Sequence, residues 1–396
     1  MIADLDWHNK IFIAKVSKKH MKKDFIVTPW EVKGNIDYDK LIKEFGTEKI
    51  DDKTLNRIKK HTRDIHYMLR RNIFFSHRDL NWLLDEYEKG NKFFLYTGRA
   101  PSGPVHIGHL VPWIFTKWLQ EKFNVELWFQ LPDEEKFLFK ENLTMKDTEK
   151  WTYENALDVI ALGFDRRKTH FLIDTRHANL MYKEAVKVAK KLTFSSAKAA
   201  FGFTNETNIG QIFYTAMQAV PAFLPSVLAG KKIPCLIPLG FDQDVHFRYT
   251  RSVISKLGYY KPAIMHCRFL PGLQGMEKQG KMSASNEQTA IYTTDSKENV
   301  EFKIKKYAFS GGRETIKEHR EKGGNPDIDV SYQWLTFLEE DDKKLEKIYN
   351  NYKNGSLLTS ELKQILIEKL NKFLKEHQRK RELAKKQVER YIYKGF

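Results

Sequence analysis

From about Lys92 to Leu270 short apolar runs take turns with longer stretches of helical period. "KFFLYTG", "VELWFQL", "THFLID", "IPCLIPLG" and "PAIMHCRFL" are strand-like and lack the alternation of a half-exposed strand. Between them lie His106 to Phe123, "TEKWTYENALDVIALGF", "ANLMYKEAVKVAKKL" and Val245 to Leu257, all of helical character. Strands apolar on both sides, in turn with helices, predict a parallel sheet covered on both faces, an α/β, Rossmann-like domain over 91–296. The stretch 193–230, rich in Ala and Phe, reads as helices inserted between two of these strands.

The flanks differ. Residues 1–90 read as an extension with its own small structure. "FIVTPW" is a short strand, "TLNRIKKHTRDIHYMLRR" has helical periodicity, and "SHRDLNWLLDEYEKG" reads as a helix with Ser76 as N-cap and Gly90 near its C-cap. From about Lys297 the pattern is all helix. There Leu362, Ile365, Leu366, Leu370, Phe373 and Leu374 share one face, with Lys and Arg on the others, so 297–396 is expected to be a helical domain.

Composition supports a globular protein of two or three domains, with 41% apolar and 13% aromatic residues over 396 positions. The longest apolar runs fall far short of the about 20 residues that span a bilayer. The N-terminal stretch has no sustained apolar segment, carries Asp4 and Asp6 and lacks Arg, which fits poorly with a targeting peptide. Cys235 and Cys267 stand far apart with no C-x-x-C, which argues against a disulfide framework or zinc site and makes a reducing, cytoplasmic location the expectation. The net charge of +17 suits a polyanionic partner or phosphate ligands.

The chemistry concentrates in two stretches. "RAPSGPVHIGHLVPWIFTKWLQ" passes from a Gly- and Pro-punctuated loop into a helix, with His106, Gly108 and His109 at the join. In an open parallel sheet ligands bind at the carboxyl ends of strands, where helix N-termini offer free N–H groups and a positive dipole end to phosphate. Gly108 permits close approach, and a histidine N–H can donate to a phosphate oxygen. Taken alone, the pair also fits a shared metal, although no third ligand stands nearby, or helix-start histidines satisfied by backbone groups. The second stretch, "QGKMSAS", follows the last apolar strand; Lys281 supplies a point charge, and Ser283 and Ser285 supply hydroxyls and backbone N–H groups.

In that order H-I-G-H and K-M-S-A-S resemble the two signatures of the class I aminoacyl-tRNA synthetases. "IFFSHRD", "FGFT", "QAVPAF", "FDQDVHFRYTR", "LPGLQG", "AFSGGRETIKEHR" and "DVSYQWLTFLEEDD" narrow the resemblance to tryptophanyl-tRNA synthetases of the eukaryotic and archaeal type, over nearly the whole chain. Ala284 stands where the general signature has a second Lys, so Lys281 and neighbouring backbone donors must do more. The resemblance implies activation of L-tryptophan by ATP with Mg²⁺, then transfer to the 2′-OH of the terminal adenosine of tRNA(Trp). It implies an ATP site over Gly98, His106, Gly108, His109, Lys281, Met282, Ser283 and Ser285, with His106, His109 and Lys281 catalytic and no metal held by side chains. It places tryptophan against Tyr96, Gln130, Glu135, Gln218 and Gln243, and gives Arg313, Glu314 and Lys363 of the helical domain to the anticodon. It also implies a homodimer through 193–230. Tyrosyl-tRNA synthetases share this architecture but use a differently placed Tyr and Asp pair, which this sequence does not show.

Overall fold

The computed structural model describes residues 25–27, 32–34, 36–278, 280–283 and 288–395. Ser285 and Ala284 lie outside them, as do residues 1–24 and Thr28 to Trp30. Two short strands, β1 (Phe25–Val27) and β2 (Val32–Gly34), pair antiparallel. The main sheet is built from β3 (Glu48–Lys49), β4 (Phe74–Arg78), β5 (Phe94–Gly98), β6 (Leu127–Leu131), β7 (Thr169–Ile173), β8 (Cys235–Gly240) and β9 (Ala263–Cys267). Its order is β3-β4-β9-β8-β5-β6-β7.

The five strands expected from their apolar runs are β5 to β9, and they are mutually parallel. The sheet as a whole is mixed, because β4 joins β9 antiparallel and β3 joins β4 antiparallel. Two strands from the first 90 residues thus extend the main sheet rather than stand apart from it. Ser76 is correspondingly not an N-cap: it is the third residue of β4, fully buried, hydrogen-bonded to His266 Nδ1 of β9 at 3.0 Å. The helix begins later, at Leu80. The reason is tertiary. Phe74 and Phe75 bury against the sheet and its flanking helices, and Arg78 grips Asp244 through two bonds of 2.8 Å, while His266 Nε2 meets the same carboxylate at 2.8 Å. That web of bonds outweighs a serine's preference for a helix start.

Helices cover both faces. Helix Ile107–Phe123 buries Leu110, Phe115 and Leu119 in the larger core cluster, and Tyr96, Trp128 and Leu172 belong to a second cluster. Helices Phe194–Phe201, Ile209–Met217 and Leu224–Leu228 fill the insertion between β7 and β8. From Lys297 the described residues form six helices, the longest Thr359–Ala384. Leu362, Leu366, Leu370 and Leu374 of that helix are buried as its apolar stripe predicts, and Ile365 and Phe373 partly so. It docks on helix Met145–Ala161, where Asp158 accepts from both His377 Nε2 and Arg381 Nε at 2.9 Å. The chain closes by returning to the sheet: Tyr393 N–H donates to Phe171 O of β7 at 3.0 Å.

Candidate active site

The parallel strands deliver β5, β6 and β8 side by side, and their carboxyl ends carry the site. Gly98 ends β5 opposite Gln130 of β6; a Cβ there would come within 2.6 Å of the Gln130 carbonyl oxygen, so only glycine fits. The loop that follows is held by Arg99, whose guanidinium donates to the carbonyls of Gly103 and Pro104 at 3.1 Å each. Burial draws the Arg99 pKa down to about 10. Arg99 was not singled out from sequence, although it opens the quoted stretch.

His106 is the N-cap residue of helix Ile107–Phe123. Its backbone N–H donates to His109 Nδ1 at 3.2 Å, and the two rings stack with centroids 3.5 Å apart. With Nδ1 accepting, the proton of neutral His109 sits on Nε2. Burial, then neighbouring positive charge from Arg99 and Lys281, holds both imidazoles well below 6.5, with the His106 ring adding to the effect on His109. Both are therefore neutral at pH 7. His106 Nδ1 is buried and without a partner among the described residues. A Cβ on Gly108 would meet the His106 ring at 3.1 Å and Met282 Cβ at 3.6 Å, so the glycine gives the histidine ring its room and brings the second motif close.

That second motif is sewn on by backbone. Met282 N–H donates to Leu270 O at 3.0 Å, and Lys281 N–H to Val32 O of β2 at 3.3 Å. Lys281 is ion-paired with Asp242, which lies in the turn Phe241–Gln243 after β8 and also accepts from Gln243 Nε2 at 2.8 Å. Met282 is buried and Ser283 partly so.

Between β5 and β6 the side chains of Tyr96 and Gln130 meet: the Tyr96 hydroxyl donates to Gln130 Oε1 at 2.5 Å. Gln218 contributes its backbone oxygen, 3.4 Å from the same hydroxyl. Glu135 receives Lys136 Nζ at 2.6 Å and the Tyr214 hydroxyl at 3.0 Å. Burial opposes its ionisation, but Lys136 prevails and its carboxyl stays below the usual range. Gln130 Nε2 donates to Asp174 Oδ2 at 2.7 Å. Asp174, Tyr214 and Asp242 are not singled out by the sequence, although "THFLID" ends in Asp174 and "FDQDVHFRYTR" contains Asp242.

Arg313, Glu314 and Lys363 belong to the helical region that follows Lys297. Arg313 and Glu314 are exposed in the turn before helix Ile316–Lys322, with Arg313 Nε donating to Gly323 O at 2.9 Å. Gly311 is required there, since a Cβ would sit 2.0 Å from Asn325 O. Ser310 Oγ bonds Thr359 Oγ1 at 3.3 Å, which sets this turn against the helix that carries Lys363. Burial draws the Lys363 amine down.

Residues 88–375 match the family described as tRNA synthetases class I (W and Y). The chain is 54% identical to the tryptophan–tRNA ligase of Saccharolobus solfataricus over 95% of its own length and 97% of that protein's. With the tryptophan–tRNA ligase of Pyrococcus furiosus it shares 52% identity, over 95% and 96% of the two chains. The solved structure of tryptophanyl-tRNA synthetase from Plasmodium falciparum superposes with a TM-score of 0.85 at 43% identity, over 90% of this chain and 98% of that one. The Aeropyrum pernix structure gives 0.82 at 28%, over 90% and 96%. Its sheet, its two motifs and these likenesses agree: the chain belongs to the class I tRNA synthetases of the tryptophan and tyrosine group.

Proposed function

We propose that this chain activates L-tryptophan with ATP and joins it to tRNA(Trp). The carrying observation is the meeting of the His106–His109 helix start with the Lys281–Met282 segment, which is tied to the turn after β8, beside the strands that carry the Tyr96–Gln130 pair. In the first step a tryptophan carboxylate oxygen attacks the α-phosphorus, the bond to the bridging oxygen breaks, and pyrophosphate leaves. In the second, the 2′-OH of the terminal adenosine attacks the carbonyl carbon and AMP leaves. A carboxylate is already ionised, so the first step needs no side-chain base; it needs positioning and donors for phosphate charge. His109 Nε2–H and the Lys281 ammonium are suited to that work. Neutral histidines donate one hydrogen bond each without a permanent charge that would hold the substrate as tightly as the transition state.

Mg²⁺ would arrive on the nucleotide phosphates, whose oxygens are the hard ligands this ion prefers. The tryptophan slot is formed by Tyr96 and Gln130, with Glu135, Gln218 and Gln243 around it; Gln243 donates to Asp242, the carboxylate that also holds Lys281. Arg313, Glu314 and Lys363 are proposed to meet the anticodon. A homodimer through the inserted helices is supported by Ile209, 83% exposed, and by exposed Phe194 and Leu228 on the same insertion. A cytoplasmic setting accords with free Cys235 and Cys267, and no described helix is long and apolar enough to cross a membrane.

The test is ATP–pyrophosphate exchange with each of the twenty amino acids. Exchange with tryptophan and little with tyrosine or phenylalanine is expected; equal exchange with tyrosine, or none at all, refutes the assignment.

A further inference from the structure

Gln130 has its amide engaged at both ends: Nε2 donates to Asp174 and Oε1 accepts from Tyr96. The two ends of an amide are nearly equal in size, so packing alone cannot choose between them. The choice matters here. An indole N–H is only a donor, and a turned-over Gln130 would offer it an NH₂ group.

Asp174 is the group that Nε2 faces. It is the first residue beyond β7, whose Leu172 lies in register with Gln130, and it is completely buried. Its seat is fixed by the next residue: Thr175 N–H donates to Asp133 Oδ1 at 3.0 Å, and the Thr175 hydroxyl to Asp133 Oδ2. The other oxygen of Asp174, Oδ1, and both carboxyl oxygens of Glu134 are buried and meet no N–H or hydroxyl donor among the described residues, so the two carboxyls have only each other. Burial, then the charge of the neighbouring carboxyls, pushes Glu134 up to about 8 and Asp174 well above its ordinary value. A proton shared between Oδ1 and the Glu134 carboxyl supplies the one donor that these buried oxygens otherwise lack, which leaves Oδ2 to accept. Oδ2 thus remains a pure acceptor, and only the Nε2 end of Gln130 can face it.

We infer, on the reading of Tyr96 and Gln130 as the indole-facing pair, that Asp174 is a specificity-determining positioning residue that locks the Gln130 amide with its oxygen toward Tyr96 and the indole N–H. With the amide so held, Oε1 has a second lone pair and the Tyr96 oxygen its own, so the slot offers acceptors to the one donor tryptophan brings. Without the lock the amide turns over in part of the population, and that part repels the indole N–H.

The experiment measures ATP–pyrophosphate exchange with tryptophan and with its benzothiophene analogue, in which sulfur replaces N–H. The wild type is compared with Asp174→Asn, Asp174→Leu, Asp174→Ser and Gln130→Ala, with KM for ATP and a thermal melt for each. Asp174→Asn should keep selectivity, because its amide oxygen accepts from Gln130 while its NH₂ turns to Glu134. Asp174→Leu should lose about 10-fold in the preference for tryptophan, the lower part of the range for a misplaced buried donor, through KM for tryptophan and with KM for ATP unmoved. Asp174→Ser, whose hydroxyl donates and accepts and so selects neither end, should lose about 3-fold or more and serves where the leucine variant does not fold. A folded Leu or Ser variant as selective as the wild type overturns the role of Asp174, as does an Asn variant that loses as much as Leu. Gln130→Ala tells the two levels apart. If it loses selectivity while Asp174→Leu does not, the lock alone is wrong; if it keeps selectivity, Gln130 does not read the indole and the lock falls with it.

Discussion

Replacing Lys281 with alanine separates what this side chain does before ATP arrives from what it does in the reaction. Its ammonium rests on Asp242, with the Phe269 ring centroid 5.9 Å away. Asp242 is 6% exposed and, once the cation is gone, retains the Gln243 amide at 2.8 Å. A desolvated carboxylate stripped of its partner costs about 1–3 kcal/mol. The Lys281 side chain is 29% exposed, so water already screens the pair, and the lower end of that range applies, about 1 kcal/mol. The catalytic loss should be larger: a donor aimed at charge that grows on the leaving pyrophosphate is worth on the order of 10²-fold in kcat, or about 2.7 kcal/mol. KM for tryptophan should barely move. Adding Asp242→Asn removes the stranded charge, so the double variant should regain its stability and stay inactive. Urea midpoints and ATP–pyrophosphate exchange at saturating tryptophan measure the two effects separately. Recovery of kcat in the double variant would assign Lys281 a structural role. A change confined to KM for ATP would make it a ground-state binder, and an unaltered urea midpoint for Lys281→Ala would show that the ion pair contributes nothing to the fold.

Stability should pass through a maximum near neutral pH. Burial holds His66, His77 and His246 down to about 4, and His106 and His109 well below 6.5. Each takes up a proton near 6.5 only when unfolded, so the stability present above that pH is lost as pH falls toward 4. Glu134 and Asp174, raised by burial, act with the opposite sign: their contribution is present at low pH and lost as pH climbs through about 8. A urea midpoint unchanged between pH 5 and 7 would contradict the buried neutral histidines. Affinity for tRNA should fall steeply with salt, and Arg313→Ala should weaken discrimination between cognate and altered anticodons more than it changes the salt slope; a uniform loss of affinity would make Arg313 a phosphate contact. Ile209→Glu should shift the protein from dimer to monomer by light scattering at micromolar concentration, because it places a charge in the most exposed apolar position of the insertion; a wild type that is already monomeric refutes the dimer.

Sequence alone determines whatever is written within a few turns of chain. The apolar runs of β5 to β9, the helix that starts behind His106 and the stripe from Leu362 to Leu374 are each local patterns, and each forms where its period places it. The two motifs are legible for the same reason: His106, Gly108 and His109 lie within one helical turn, and Lys281 to Ser283 are consecutive. Tertiary structure decides the rest. "SHRD" offers helix-starting residues, yet Ser76 becomes strand because His266, 190 positions away, and Asp244 bind it and its neighbour Arg78. Lys281 finds Asp242 from 39 residues off, and Gln130 finds Asp174 from 44. The neutrality of His106 and His109 is likewise invisible in the motif, because it comes from the burial that neighbouring strands and loops impose. Periodicity reports which side of an element faces inward, whereas hydrogen-bond partners and desolvation depend on which elements become neighbours, and only the packed sheet settles that.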